Sequence, residues 1–247
     1  MSIQTPEELA RLRVAGRIVR EMLDAMRQRA SAGVTTAELD HAGMEVMRRN
    51  GARSAPAMVY GFPGASCISV NEEAVHGIPS KRTLRDGDLL KLDVTIEKDG
   101  FMADAAVTVA IGKVSLRKQK LMHCAQRAFC EAMLVARAGV RVSEIGRAVE
   151  REVRRCGFSV IRELGGHGIG RTIHEAPSIP NYPDPAANEI LTEGLVITVE
   201  PIISAGSGRS VLARDGWTIR TADRQPSAHY EHTIVITRDQ PILLTAA

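Results

Sequence analysis

Cysteine is scarce: Cys67, Cys124, Cys130 and Cys156 are the only four in 247 residues, and no two form a CxxC pair. That spacing excludes a zinc ribbon, and reduced thiols in a cytoplasm are the simplest reading. No apolar run approaches the roughly 20 residues that a membrane-spanning helix needs. The opening stretch MSIQTPEELARLR is acidic and then basic, with no apolar segment, which excludes a secretory signal. Charge of one sign is not in excess either. A net charge of +3 gives no ground for specific nucleic-acid binding. The basic residues are dispersed, and short clusters such as Arg154-Arg155 read as solvated helix faces. Neither GxGxxG after a strand nor GxxxxGK is present, so the glycine-rich segment near residue 166 is a poor phosphate loop.

What remains is an ordinary globular composition, 44% hydrophobic and 25% charged, able to bury a sizeable core. The length fits one large domain or two small ones. The chain repeats itself. AGVTTAEL from Ala32 returns as AGVRVSEI from Ala138, MRRNG from Met47 as VRRCG from Val153, and LRDGDLLKLD from Leu84 as LTEGLVITVE from Leu191. Three matches in one order and at nearly constant spacing indicate a duplicated unit, with halves of about 1–110 and 111–247. Each half reads as a helix pair followed by strands. Thr5-Pro6-Glu7-Glu8 predicts a capped helix to about Arg29, and Thr35 with Glu38 predicts a second ending at Gly51. About Ser115–Arg137 and about Ser143–Cys156 repeat the pair. Hairpins rather than βαβ alternation then predict an α+β fold, a largely antiparallel sheet with helices on one side.

The stretch KLDVTIEKDGFMAD, from Lys91 to Asp104, predicts a β-hairpin with an aspartate within each arm, where strands usually exclude it. Leu90, Leu92, Val94 and Ile96 alternate with Lys91, Asp93, Thr95 and Glu97, a strand with one buried face. A turn centred between Lys98 and Asp99 places Asp93 directly opposite Asp104, with Cβ atoms about 4.5–5.5 Å apart. The same register pairs Ile96 with Phe101, Val94 with Ala103 and Leu90 with Val107. A solvated hairpin face with its acids in water is the plain alternative; two facing carboxylates otherwise demand a cation. Gly87 precedes Asp93 as Gly194 precedes Glu200, so the repeat predicts an acid at the end of the equivalent strand in each half. If the halves pack about a pseudo-twofold axis, both acids converge on a central cleft.

GGHGIGRTIHEAP supplies His167 and His174, its glycines allowing close backbone approach. LVITVEP and SAHYEHTIVIT present Glu200 and Glu231 beside apolar strands. Buried unpaired, such acids are costly. Two divalent cations would balance Asp93, Asp104, Glu200 and Glu231, and His167 would add a nitrogen donor. An oxygen-rich set of this kind suits Mn, Fe or Co better than a thiolate zinc site does. Two metals about 3.5–4 Å apart activate a bridging water and polarise a carbonyl.

These motifs, with TPEELARLRVAGR, SCISVNEEAVHGIP and DGWTIRTADRQPSAHYEHTIVIT, span nearly the whole chain and resemble the type I methionine aminopeptidases of the pita-bread fold. The resemblance implies one catalytic domain, residues 1–247, with metal ligands Asp93, Asp104, His167, Glu200 and Glu231. It implies two divalent ions (Co, Mn, Fe or Zn) and removal of the initiator methionine when the next residue is small. A metal-bridging hydroxide would attack the scissile carbonyl, with Glu200 as general base and ligand. His174 would stabilise the oxyanion and His76 would hold the peptide. Phe62, Cys67 and Trp217 match the family's substrate pocket. Pro56 and Val59 stand where relatives carry Cys and an aromatic, and Ile173 replaces an aromatic before the second histidine. GFMAD lacks the usual polar residue and Gly before its Asp, and HEAP stands for HEEP. These departures imply a wider or less selective first-residue pocket. With no zinc-finger extension, the resemblance implies a bacterial-type cytoplasmic monomer. It would act on peptides or nascent-chain N-termini, with room for a ribosome contact and with no membrane or specific nucleic-acid partner. The rival readings are an X-Pro aminopeptidase or prolidase, which carries a large N-terminal domain and different histidine spacing, and a non-catalytic peptide-binding module. A metal-free structural protein with an acid-rich hairpin is the third.

Overall fold

The computed structural model describes residues 1–246. The first helix pair is α1 (Pro6–Arg29) and α2 (Thr36–Arg49). After β1 (Arg53–Ser54) come the short α3 (Ala55–Tyr60), then β2 (Cys67–Val70), β3 (Glu73–Val75), β4 (Leu89–Lys98) and β5 (Phe101–Ala110). The second pair is α4 (Leu116–Met133) and α5 (Val142–Arg155). Strands β6 (Ser159–Val160), β7 (Gly165–Gly168), β8 (Glu175–Pro180), β9 (Val196–Val199) and β10 (Ile202–Ser204) follow. The chain closes with β11 (Ser210–Leu212), β12 (Ile219–Thr221), β13 (Ser227–His229), β14 (Glu231–Val235) and β15 (Ile242–Leu243). No helix is long and apolar enough to cross a membrane among the described residues.

The main sheet runs β1-β4-β5-β14-β9-β7-β8, with β2 added on β4 and β15 on β14. Two three-stranded sheets, β13-β10-β6 and β11-β12-β3, flank it. All these pairings are antiparallel. The helices bury their apolar stripes on one face of the main sheet. Ile18, Val19, Met22 and Met26 of α1 and Leu39 and Val46 of α2 close over Leu90, Leu92, Val94 and Ile96 of β4. Leu121, Ala125 and Phe129 of α4 and Ile145, Val149 and Val153 of α5 close over Ile197, Val199 and Ile234. Two cores thus lie under two helix pairs, and β5 beside β14 joins them. Thr233 clamps this seam, its hydroxyl donating to the Asp104 carbonyl at 2.7 Å and accepting from the Asp104 N–H at 2.8 Å.

The hairpin register differs from the sequence-based expectation. Lys98 pairs with Phe101, so Asp99-Gly100 forms a two-residue turn with φ of 51° and 84°. Positive φ at both positions is what a tight hairpin turn requires, and Asp-Gly meets it where Lys-Asp would not. Asp93 therefore faces Ala106 and Thr95 faces Asp104, with Ile96 opposite Ala103, Val94 opposite Ala105 and Leu90 opposite Val109. The slip is by an even count, so every side chain keeps its face. Asp93 and Asp104 remain on one surface as diagonal neighbours. That surface is not solvated: Lys91, Thr95, Glu97 and Asp104 are all buried. The strand-end expectation also changes. Asp93 lies within β4, whereas Glu200 falls just past β9, where Pro201 has no N–H to continue the ladder.

The helices match their signals at three of four starts. Thr5 caps α1 through the Glu8 N–H, Ser115 caps α4, and Thr35 with Glu38 forms a complete capping box on α2. Helix α5 begins after Arg141 with no side-chain cap. Helix α4 stops at Met133, short of the expected Arg137, and its turn exposes Leu134.

Candidate metal centre

On the sheet face opposite the helices, Asp93, Asp104, His167, Glu200 and Glu231 line one cavity of about 230 Å³. Each arrives by a different constraint. Asp93 and Asp104 are set by the hairpin register. Glu231 opens β14 and is drawn to β5 by pairing opposite Ala106. His167 sits in β7, whose glycines let it run tightly between neighbours: a Cβ on Gly166 would strike the Thr198 carbonyl, and one on Gly168 the Ala176 carbonyl. Thr198 ties two of the residues together. Its hydroxyl accepts from the His167 N–H at 3.0 Å and donates to Glu200 Oε1 at 2.8 Å.

The arrangement has donors to spare and too few protons. Asp104, His167 and Glu231 offer donor atoms all within 4.8 Å of one another, and so do Glu200, His229 and Glu231. Asp104 Oδ1 and Glu231 Oε1 are buried with no hydrogen-bond partner. Burial, and then the neighbouring acids, push the carboxyls of Asp93, Glu200 and Glu231 well above the ordinary range, and burial raises Asp104 to about 7. Four carboxylates in one dry cleft cannot all ionise unless cations neutralise them. His167 Nδ1 lies 2.9 Å from the Gly168 carbonyl. As a donor there, it leaves the Nε2 lone pair facing Glu200 Oε1 at 3.6 Å. Burial lowers His167 to about 4, so that lone pair stays free. The residues present fit a centre of two divalent cations.

Around these donors, His76, His174, Phe62, Cys67, Trp217, Pro56 and Ile173 line the same cavity. Trp217 meets Phe62 edge to face, with centroids 5.3 Å apart. His76 holds a left-handed backbone, φ 57°. Its pKa is lowered by burial first and then by His174. Val59 does not join them. In α3, Pro56 and Tyr60 stand four apart on the lining face, while Val59 lies on the neighbouring flank and is 43% exposed.

Three participants escape the sequence reading. Tyr60 places its hydroxyl 2.6 Å from His174 Nδ1, a contact across the cleft with no local signature. Thr198 was legible only as the residue two before Glu200. His229 stands two residues before Glu231 in the sequence, where β13 ends and β14 begins.

A pita-bread sheet carrying buried carboxylates and an imidazole on one face defines a class, the metallopeptidases. The chain belongs to metallopeptidase family M24, whose profile residues 10–238 match. It is 46% identical to methionine aminopeptidase 2 of Bacillus subtilis (strain 168), with 99% of each chain covered. It is 39% identical to the methionine aminopeptidase of Escherichia coli (strain K12), over 99% of this chain and 94% of that one. The crystal structure of methionine aminopeptidase from Thermotoga maritima superposes with a TM-score of 0.96 at 34% identity, both chains covered in full. Prolidase from Pyrococcus furiosus, 22% identical with a TM-score of 0.80, shares the fold, and this chain covers 65% of it. The protein is a hydrolase of the methionine aminopeptidase kind.

Proposed function

We propose that the cleft removes the N-terminal methionine from peptides and nascent chains whose second residue is small. The observation that supports this reading is the apolar lining of Phe62, Cys67, Ile173 and Trp217 in the same cavity as five metal donors. When bound, two divalent cations would supply an activated water and Lewis-acid polarisation of the scissile carbonyl. Asp93, Asp104, His167, Glu200 and Glu231 would hold them.

The chain's own groups divide the remaining work. Glu200 accepts the proton of the attacking water. Its Oε1 is fixed by the Thr198 hydroxyl, which aims the carboxylate rather than leaving it to rotate. His174, its pKa lowered by partial desolvation in the cleft, donates to the carbonyl oxygen as charge develops there. The Tyr60 phenol can donate to His174 Nδ1, and the proton then sits on Nε2, the nitrogen left for the substrate. His76 holds the peptide near the scissile bond. Residues 1–247 act as one catalytic unit and as a cytoplasmic monomer, whose natural encounter with nascent chains would be at the ribosome.

Pro56 and Ile173, both buried at the cavity wall, replace bulkier or softer neighbours and favour a broadened first-residue pocket. The test is hydrolysis of Met-Ala-Ser and Leu-Ala-Ser by chelator-treated protein, before and after Mn, Co or Fe(II). Metal-restored release of methionine is expected, with measurable release of leucine. A strict methionine preference would discard the broadened pocket, and no release with any metal would discard the peptidase reading.

A further inference from the structure

His229 and His232 belong to the same motif and are both well sequestered, yet their surroundings differ. His232 Nδ1 meets the Thr245 hydroxyl at 2.8 Å and its Nε2 meets the Tyr230 hydroxyl at 3.1 Å. Packed edge-on against Phe129, it is a satisfied core residue. His229 is 1% exposed, and neither ring nitrogen has a hydrogen-bond partner. Buried polar side-chain atoms are nearly always partnered, so this imidazole lacks something.

Geometry indicates what that is. His229 ends β13 two residues before Glu231 opens β14, and its ring lies beside the Glu231 carboxylate. Its Nε2 lies 3.3 Å from Glu231 Oε2 and 3.7 Å from Glu200 Oε2, hydrogen-bonded to neither. Two donors each ~2.1 Å from one cation lie about 3.0 Å apart at a right angle and about 3.4 Å apart at the tetrahedral angle. The separations around His229 fall near that range. His167 Nε2 stands at a similar distance, 3.6 Å, from Glu200 Oε1. The two imidazoles therefore address opposite oxygens of one carboxylate. We infer that His229 is a further metal donor, so that the centre holds one imidazole on each side of Glu200. This rests on the reading of the cleft as a two-cation centre. It shifts the second position from an all-oxygen set toward a mixed nitrogen–oxygen set, which favours Zn, Co or Fe over Mn.

The test compares wild type, His229→Gln and His167→Gln by calorimetric titration with Co(II) and Zn(II), and by X-ray absorption of the loaded proteins. Glutamine keeps a hydrogen-bond donor but is a poor nitrogen ligand, so a residue that only orients Glu231 would tolerate it. Wild type is expected to bind two cations with about one imidazole per metal. His229→Gln is expected to halve the imidazole count and weaken one of the two sites more than ~100-fold, beyond what loss of an orienting residue causes. An unchanged imidazole count, with affinities within a few-fold, would overturn the inference and leave the two-cation centre standing. Binding of no cation by wild type would instead overturn the centre itself. Should His229→Gln fail to fold, ring-¹⁵N spectra of the wild type during zinc titration decide. Movement of two histidines among the seven supports the inference, and movement of one alone refutes it.

Discussion

The two halves of the chain share a plan but supply the site differently. The first half contributes Asp93 and Asp104 from a single hairpin, where ladder and turn fix both together. The second contributes His167, Glu200 and Glu231 from β7, the end of β9 and β14, strands far apart in sequence. A local device thus holds one side of the cleft and long-range pairing holds the other. The helix starts show a similar divergence. Thr35 closes a capping box on α2, while the equivalent Arg141 leaves α5 uncapped, its guanidinium donating to the Asn188 carbonyl at 3.0 Å. Helix α5 does without the cap because burial of Val142, Ile145, Val149 and Val153 holds it in place.

The largest expected effect removes one donor from each half. Asp104→Asn and His167→Ala should each lower kcat/KM for Met-Ala-Ser more than ~100-fold at saturating metal. If either variant kept activity within tenfold, that half would not be supplying an essential donor. Next in size is the effect of pH on the metal-stripped protein. The four acids carry raised pKa values in the folded state, so folding takes up protons. The associated stability is full below the ordinary carboxylate range and is lost as pH rises through about 7, the value for Asp104. Each proton involved contributes a slope of about 1.4 kcal/mol per pH unit. The Tm of chelated protein should therefore fall between pH 5 and 8, as scanning calorimetry would show, and added metal should reverse the trend. A flat profile without metal would mean the carboxyls are not desolvated together.

Tyr60→Phe tests the cross-cleft contact. Loss of a hydrogen bond worth about 0.5–1.5 kcal/mol should lower kcat some 3–10-fold with little change in KM. An unchanged kcat would show that His174 needs no such partner. The smallest effect concerns the caps. Thr35→Ala should cost about 1 kcal/mol in urea unfolding, and Arg141→Thr, which restores T-x-x-E with Glu144, should gain about half that. Equal and negligible changes would show that neither helix start matters to stability.

Much of the molecule was legible in its sequence because the signals are local or periodic. Capping residues marked helix starts, alternation marked β4, and the repeat announced two helix pairs over strands. The choice of acids followed from charge: unpaired Asp and Glu beside apolar strands are costly without cations. The hairpin register stands two residues from the sequence-based expectation. A two-residue turn needs positive φ at both positions, which suits Asp99-Gly100 and not Lys98-Asp99, and the ladder closes accordingly. The faces survived the error because side-chain direction depends on parity alone.

The sequence by itself determined the two helix pairs and the chemical type of the centre, since each follows from short-range propensity, periodicity or the cost of burying charge. Only the tertiary structure decided that Tyr60 rather than Val59 turns into the cleft, that Thr198 bridges His167 and Glu200, and that His229 lies unpartnered between two carboxylates while His232 is satisfied. Those outcomes depend on contacts between segments distant in the chain, and no local pattern encodes which hydroxyl or carboxylate will stand opposite a given side chain once the two halves close.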